Sequence, residues 1–207
     1  RDEIEPFCSP LDVDTCSQLA QSFRANRTWQ VPTLAVLHSK AYFDEPAIAT
    51  DLRLRYLPAG LREEWLAERA GKLQRGTDYI ASKRKRYADA RWIAGFLSRE
   101  RVPLLAGSDA GNAFCYPGFS LHDELQLLVE AGLAPIEALR AATLAPAEFL
   151  AARDSMGTIA AGNIADMVLL RSNPLADIGA TREIESVMLR GRLLDRRQLD
   201  GLLDAIA

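Results

Sequence analysis

The ten residues from Val102 to Gly111 constrain the fold more than any other stretch. Val102-Pro103-Leu104-Leu105-Ala106 is short, apolar and bounded by glycine, the composition of a strand buried on both faces of a parallel sheet. Such a strand needs neighbours joined to it by helical crossovers, so the run implies an α/β architecture. Asp109 then falls just past the strand's carboxyl end, the rim where ligands bind in folds of this class. Gly107, Ser108, Ala110 and Gly111 are small, which permits close approach to the carboxylate. The same residues also serve to shape a turn, and locally both readings stand.

The chain before this stretch reads as a loop, a helix and a strand. Arg1–Pro10 carries the prolines and charges of a loop. Asp12 is placed to cap a helix over about Val13–Ala25, with Leu19, Ala20 and Phe23 on one face. Asn26-Arg27 ends it, and Thr28–Leu37 is expected to be a strand. His38, one of two histidines, follows as a candidate ligand or substrate contact, although a solvated or hydrogen-bonded loop histidine is the favoured reading.

Residues 39–91 form a helical insert, with helices expected over Leu61–Gln74 and Thr77–Ser98. In the second, Ile80, Tyr87, Ile93 and Phe96 contribute an apolar stripe. Lys83-Arg84-Lys85-Arg86 is basic enough to attract an acidic substrate, but a solvated helix turn is preferred. Long insertions after strands often become lids, so Trp65, Tyr79 and Trp92 are read as either substrate-facing or core.

Composition sets limits. The 207 residues suffice for one large domain or two small ones, with 48% hydrophobic and 26% charged residues. A net charge of -3 offers no footprint for nucleic acid, and no apolar run is long enough to span a bilayer. Cys8, Cys16 and Cys115 are too few for a disulfide framework, which leaves the compartment open. The chain opens on Arg1 rather than Met, so a natural start and any targeting segment are expected upstream.

Beyond Asp109, Phe114 and Tyr116 lie in a loop that would overhang the rim, as candidate pocket walls. Ser120 and Asp123 have the spacing of a helix cap. The helix that follows is expected to bury Leu121, Leu125 and Leu128 and to stop at Gly132. His122, in its first turn, is placed to touch substrate, with hydrogen bonding to the neighbouring loop as the preferred alternative. Pro135 suits a helix start, with Ile136, Leu139 and Ala142 on its apolar face, and a short helix starts at Pro146. Strands are expected at Gly157–Ile159 and Ala165–Leu170, a hairpin over Ile184–Leu194, and a last helix over Arg196–Ile206.

The order Gly107-Ser108-Asp109-Ala110-Gly111, Leu121-His122-Asp123-Glu124-Leu125, Pro135-Ile136-Glu137-Ala138-Leu139-Arg140-Ala141-Ala142-Thr143 and Gly162-Asn163-Ile164-Ala165-Asp166 resembles the C-terminal portion of the metal-dependent amidohydrolase superfamily. The imidazolonepropionase-like and Xaa-Pro dipeptidase-like enzymes are the nearest subgroup. The likeness covers roughly residues 100–195, with Trp29–Leu34 extending it upstream.

The resemblance implies the last strands of a TIM-like barrel with a helical insert over residues 1–155, part of a composite β-sandwich over 156–195, and a C-terminal helix over 196–207. It implies hydrolysis of a C–N bond, in a dipeptide or acylated amino acid, at a divalent metal such as zinc. Asp109 would be metal ligand and general base, and His122, Phe114 and Tyr116 would contact substrate. The family's His-x-His pair is nowhere in this chain, and two strands do not close a barrel. The chain is therefore expected to be inactive alone and to need an N-terminal half. The alternative is a catalytically silent module that binds a partner or a second copy of itself.

Overall fold

The computed structural model describes residues 13–207. The loop expected over Arg1–Pro10 and the cap expected at Asp12 lie outside the described residues. Helix α1 (Val13–Ala25) buries Cys16 and Ala20, and Arg27, at φ 48°, turns the chain out of it.

The next stretch corrects an expectation. Thr28–Leu37 forms one parallel bridge, Gln30 to Leu104, and not a strand. Gln30 N–H donates to Pro103 O at 3.0 Å and Leu105 N–H to Gln30 O at 2.9 Å. The strand expected over Val102–Ala106 is reduced to that same bridge. A parallel pair makes slanted, weaker bonds and holds as a ladder where further strands flank it. Among the described residues no third strand joins this pair, and Ala106 N–H donates instead to Ala141 O at 2.9 Å. Thr33, at φ 49°, then turns the chain directly into helix α2 (Leu34–Ala41), which buries Leu34, Ala35 and Val36. Burial, not β propensity, decides the state of those residues.

The stretch expected to be a helical insert is helical. It comprises α3 (Pro46–Ala49), a 3-10 turn (Leu52–Tyr56), α4 (Ala59–Leu73) and α5 (Thr77–Arg99). Trp65 is core, and Trp92 stacks on Phe96 with centroids 5.3 Å apart. Two of the four basic residues on α5 pair with neighbours: Arg84 reaches Asp44 at 2.8 Å and Lys85 reaches Asp89 at 2.7 Å.

The main core lies where α2, α5 and α6 (Phe119–Glu130) meet, with Leu34, Phe96, Leu97, Leu125 and Leu128 buried together. A second cluster of Leu54, Leu57, Trp65, Phe114 and Tyr116 underlies the insert. Helix α6 departs from expectation in two ways. It starts after Gly118, at φ 77°, so Ser120 is not its cap; Ser120 Oγ instead accepts Tyr116 N–H at 2.8 Å. Leu121 is exposed, while Glu124 and Leu127 turn inward. In α7 (Pro135–Ala142) the buried face carries Ala138 and Ala141, and Ile136 points outward. Small residues face inward there because the helix packs closely on its neighbours. Helix α8 (Leu144–Phe149) follows.

A three-stranded antiparallel sheet occupies the C-terminal third, in the order β1 (Met167–Leu170), β2 (Ile184–Leu189), β3 (Arg192–Leu194). Gly157–Ile159 does not join it, and Ile159 is exposed. Val187 pairs with Val168 on one side and Leu194 on the other. Arg190 and Gly191, both at positive φ, make the tight hairpin turn. A 3-10 turn (Ile178–Arg182) buries Ile178, Ala180 and Thr181 and packs against α6, tying the sheet to the helices. Helix α9 (Arg196–Asp204) is capped by Asp195, whose carboxylate accepts Gln198 N–H at 2.8 Å.

Helix α5 crosses the end of α6 at Gly95, where a Cβ would lie 2.0 Å from Ala131 O. Gly71, within α4, has open space around it. Gly95→Ala is expected to lose about 1–3 kcal/mol in chemical denaturation, because backbone has to move. Gly71→Ala is expected to gain up to about 1 kcal/mol from helix propensity.

Candidate functional site

Asp109 sits in the left-handed region, at φ 52°, on an exposed loop. The loop is held by its own backbone: Gly111 N–H donates to Cys115 O at 3.2 Å and Cys115 N–H to Asn112 O at 3.0 Å. Asn112 Nδ2 donates to Asp109 O at 3.0 Å, and Lys40 Nζ donates to Asn112 Oδ1 at 3.1 Å. Ser39 Oγ donates to Ala113 O at 3.2 Å. Helix α2 therefore grips the loop at two points. Small residues are needed beneath it, since a Cβ on Gly107 would come within 2.6 Å of Val31 Cγ1. The Asp109 carboxylate itself makes no hydrogen bond or ion pair among the described residues. It is free to accept a proton or to contribute one ligand to a cation.

The other residues singled out from sequence do not gather around it. Phe114 (7% exposed) and Tyr116 (2%) pack with Trp65 in the second core cluster, and burial pushes the Tyr116 hydroxyl pKa up. Arg53 lies 4.5 Å from the Tyr116 ring centroid and bonds Asp51 (2.7 Å) and Asp123 (2.6 Å). The other oxygen of Asp123 accepts from Arg182 at 2.9 Å. This ion network joins the insert, α6 and the turn before β2. His122 lies beside it, its Nδ1 buried without a hydrogen-bond partner among the described residues. Burial lowers its pKa, as does the charge of Arg182, against the opposing pull of Asp123. His38 is a helical residue in α2 rather than a loop histidine, packed against Tyr42 (4.6 Å) and Tyr87 (5.2 Å). Burial lowers its pKa too.

Sequence reading missed Glu124. It is fully buried, and its Oε2 accepts Ala35 N–H at 2.6 Å, with Leu34 N–H also contributing. Its carboxylate thus caps α2 from a different helix. Burial raises its pKa to about 7 against the opposing effect of those two backbone bonds. The available signal was periodicity: Ser120, Glu124 and Leu128 recur at four-residue spacing on the inward face.

A catalytic zinc takes three protein ligands and keeps one position open. Among the described residues no three His, Cys, Asp or Glu side chains group to hold a metal. The donor set present does not by itself fit the expected metal, and Asp109 supplies one ligand at most.

A family model described as the amidohydrolase family matches residues 54–194. Among solved structures, bottromycin amidohydrolase is 27% identical with a TM-score of 0.68, over 97% of this chain and 46% of that one. A prolidase complexed with N-methylphosphonate-L-proline is 26% identical with a TM-score of 0.60, over 87% and 38%. A putative prolidase from Bifidobacterium longum is 26% identical with a TM-score of 0.57, over 86% and 39%. The chain thus spans less than half the length of these relatives. No curated protein matches it.

Glu124 makes the stability of the fold depend on pH. Its folded pKa of about 7 lies above the ordinary 4.5, so the folded state holds its proton more tightly. The stability this adds is fully present below the ordinary carboxylate pKa and is lost as pH rises through about 7. Glu124→Gln mimics the protonated form and does not titrate. In denaturation at about pH 4 and about pH 8, the difference between the two proteins should shift by about 3 kcal/mol in favour of the variant.

Proposed function

The chain belongs to the amidohydrolase family, and from that premise we propose that it is the aspartate-bearing C-terminal part of a hydrolase that cleaves C–N bonds. The observation that carries this is Asp109: an exposed, unpaired carboxylate on a loop of small residues, braced by α2 and placed past the carboxyl end of a parallel pair. In that setting the two bridged segments are the last strands of a barrel, and the small sheet is part of a composite sandwich. Family membership supports a dependence on a divalent metal, with zinc proposed. The further donors would have to come from outside the described residues. The substrate class proposed is a dipeptide or acylated amino acid, which the prolidase-named relatives support. His122 is retained as the proposed substrate contact on the family resemblance; its Nδ1 is buried, so the contact would run through another atom of the ring. Phe114 and Tyr116 would act by shaping the loop that carries Asp109.

One observation favours a second reading, a catalytically silent interaction or oligomerisation module. Val168, Leu169, Leu189 and Leu193 are each more than half exposed on the small sheet, and apolar surface of this kind marks contact sites.

Metal analysis and a hydrolysis assay on Xaa-Pro dipeptides separate the two. They should be run on this chain and on the protein encoded by its whole reading frame. The hydrolase reading expects metal and activity in the latter, with Asp109→Asn lowering kcat by at least about 100-fold. Absence of both, with a concentration-dependent dimer in sedimentation, would establish the second reading instead.

A further inference from the structure

At the amino end of the parallel pair, opposite the end that leads to Asp109, lies a groove of about 800 Å3. Trp29 and Pro103, the residues that precede the bridged pair Gln30 and Leu104, line it. Four arginines also line it: Arg24 and Arg27 at the end of α1, Arg101 in the turn after α5, and Arg153 in the turn after α8. Glu148 and Asp154 also line it, which leaves an excess of two positive charges in a chain whose net charge is -3.

The arginines are not equivalent. Arg24 is anchored through a hydrogen bond to Glu100 O at 3.0 Å, and Arg153 pairs with Glu148 at 2.9 Å. Arg27 and Arg101 have no acidic partner among the described residues. Both stand at left-handed corners, at φ 48° and 57°, which sets their backbone direction independently of the helices they follow. Positive charge brought together from three separate segments is a tertiary arrangement, unlike a basic run along one helix. Exposed to water, these charges repel one another only modestly, and an anion placed among them would be attracted.

We propose that this groove binds the phosphate group of a small molecule. A carboxylate offers two coplanar oxygens and is satisfied by one guanidinium fork, whereas a phosphate offers several oxygens around a centre and close to two negative charges. The second property matches the excess charge, and the first matches donors supplied by three segments of the chain. The depression is open, and its arginines are exposed, so a ligand would be held by its charge rather than by enclosure. Trp29 is half-buried and packs edge-on against Phe149, with centroids 6.0 Å apart. It lines the same depression, where it offers an aromatic face to a ring attached to the phosphate.

Titration of the chain with inorganic pyrophosphate and, separately, with adenosine monophosphate tests this, read by calorimetry and by the fluorescence of Trp29 against a Trp29→Phe control. Saturable binding that weakens with added salt is expected. The Arg27→Gln/Arg101→Gln double variant should weaken it by about tenfold or more, while Arg197→Gln on α9 should leave it unchanged. Tighter binding of the nucleotide than of pyrophosphate would assign the ring to Trp29; equal binding would assign recognition to phosphate alone. No saturable binding up to about 10 mM, or full binding retained by a double variant whose circular dichroism is unaltered, would overturn the proposal. The outcome is independent of hydrolysis, since neither arginine lies at the Asp109 end.

Discussion

The structure turns on one buried carboxylate. The first backbone N–H groups of a helix have no partner within it, and those of α2 are taken out of water, with Leu34 fully buried and Ala35 nearly so. An orphaned buried donor costs about 1–3 kcal/mol. Glu124 answers them from α6, and the positive end of the α2 dipole favours its charge. The arrangement has its own cost, because a fully buried carboxylate prefers to be neutral, and the raised pKa is the expression of that conflict. What it secures is the relative position of α2 and α6. Both helices then brace the Asp109 loop, α2 through Lys40 and Ser39 and α6 through Ser120.

The helices were legible where punctuation was strong. Pro58 and Gly76 bound α4 and α5 closely, and Gly191 marked the hairpin, which turns at Arg190-Gly191. Strands were legible only where their partners are present. Val102–Ala106 has the composition of a buried strand, but a parallel ladder is a property of several segments together, and this one meets a single neighbour at a single bridge. Leu34–Leu37 failed differently. An apolar run of that length carries no periodicity to separate strand from helix, and the turn at Thr33 decides it. The face of α7 was misread because bulk was equated with burial; Ala138 and Ala141 face inward where helices approach closely, and Ile136 is left outside.

At the candidate site, the position of Asp109 could be read from its place after an apolar run, and the structure keeps it exposed and unpaired. Its surroundings could not. Phe114 and Tyr116 looked like pocket walls because aromatic residues in a glycine-bordered loop usually overhang a rim. Here Trp65 of the insert covers them, and a loop expected to be open becomes part of a core. Glu124 escaped notice because a charged residue is assumed to face water unless a partner is visible, and its partners are backbone groups some ninety residues away.

Fold and chemistry are separable in this chain. The elements that hold it together, Glu124 on α2, the Arg53–Asp123–Arg182 network and the packing of α5 across α6, make no use of the Asp109 carboxylate. That carboxylate makes no use of them beyond the position of its loop. A side chain that contributes no bond to the fold, on a loop that other residues hold in place, is not accounted for by packing. The braces at Asn112 and Ala113 would be unnecessary for a simple turn, since Gly111 and Cys115 already close it. This asymmetry between a well-supported loop and an unsupported side chain is what binding or catalysis requires: rigid backbone, with the functional atoms left free.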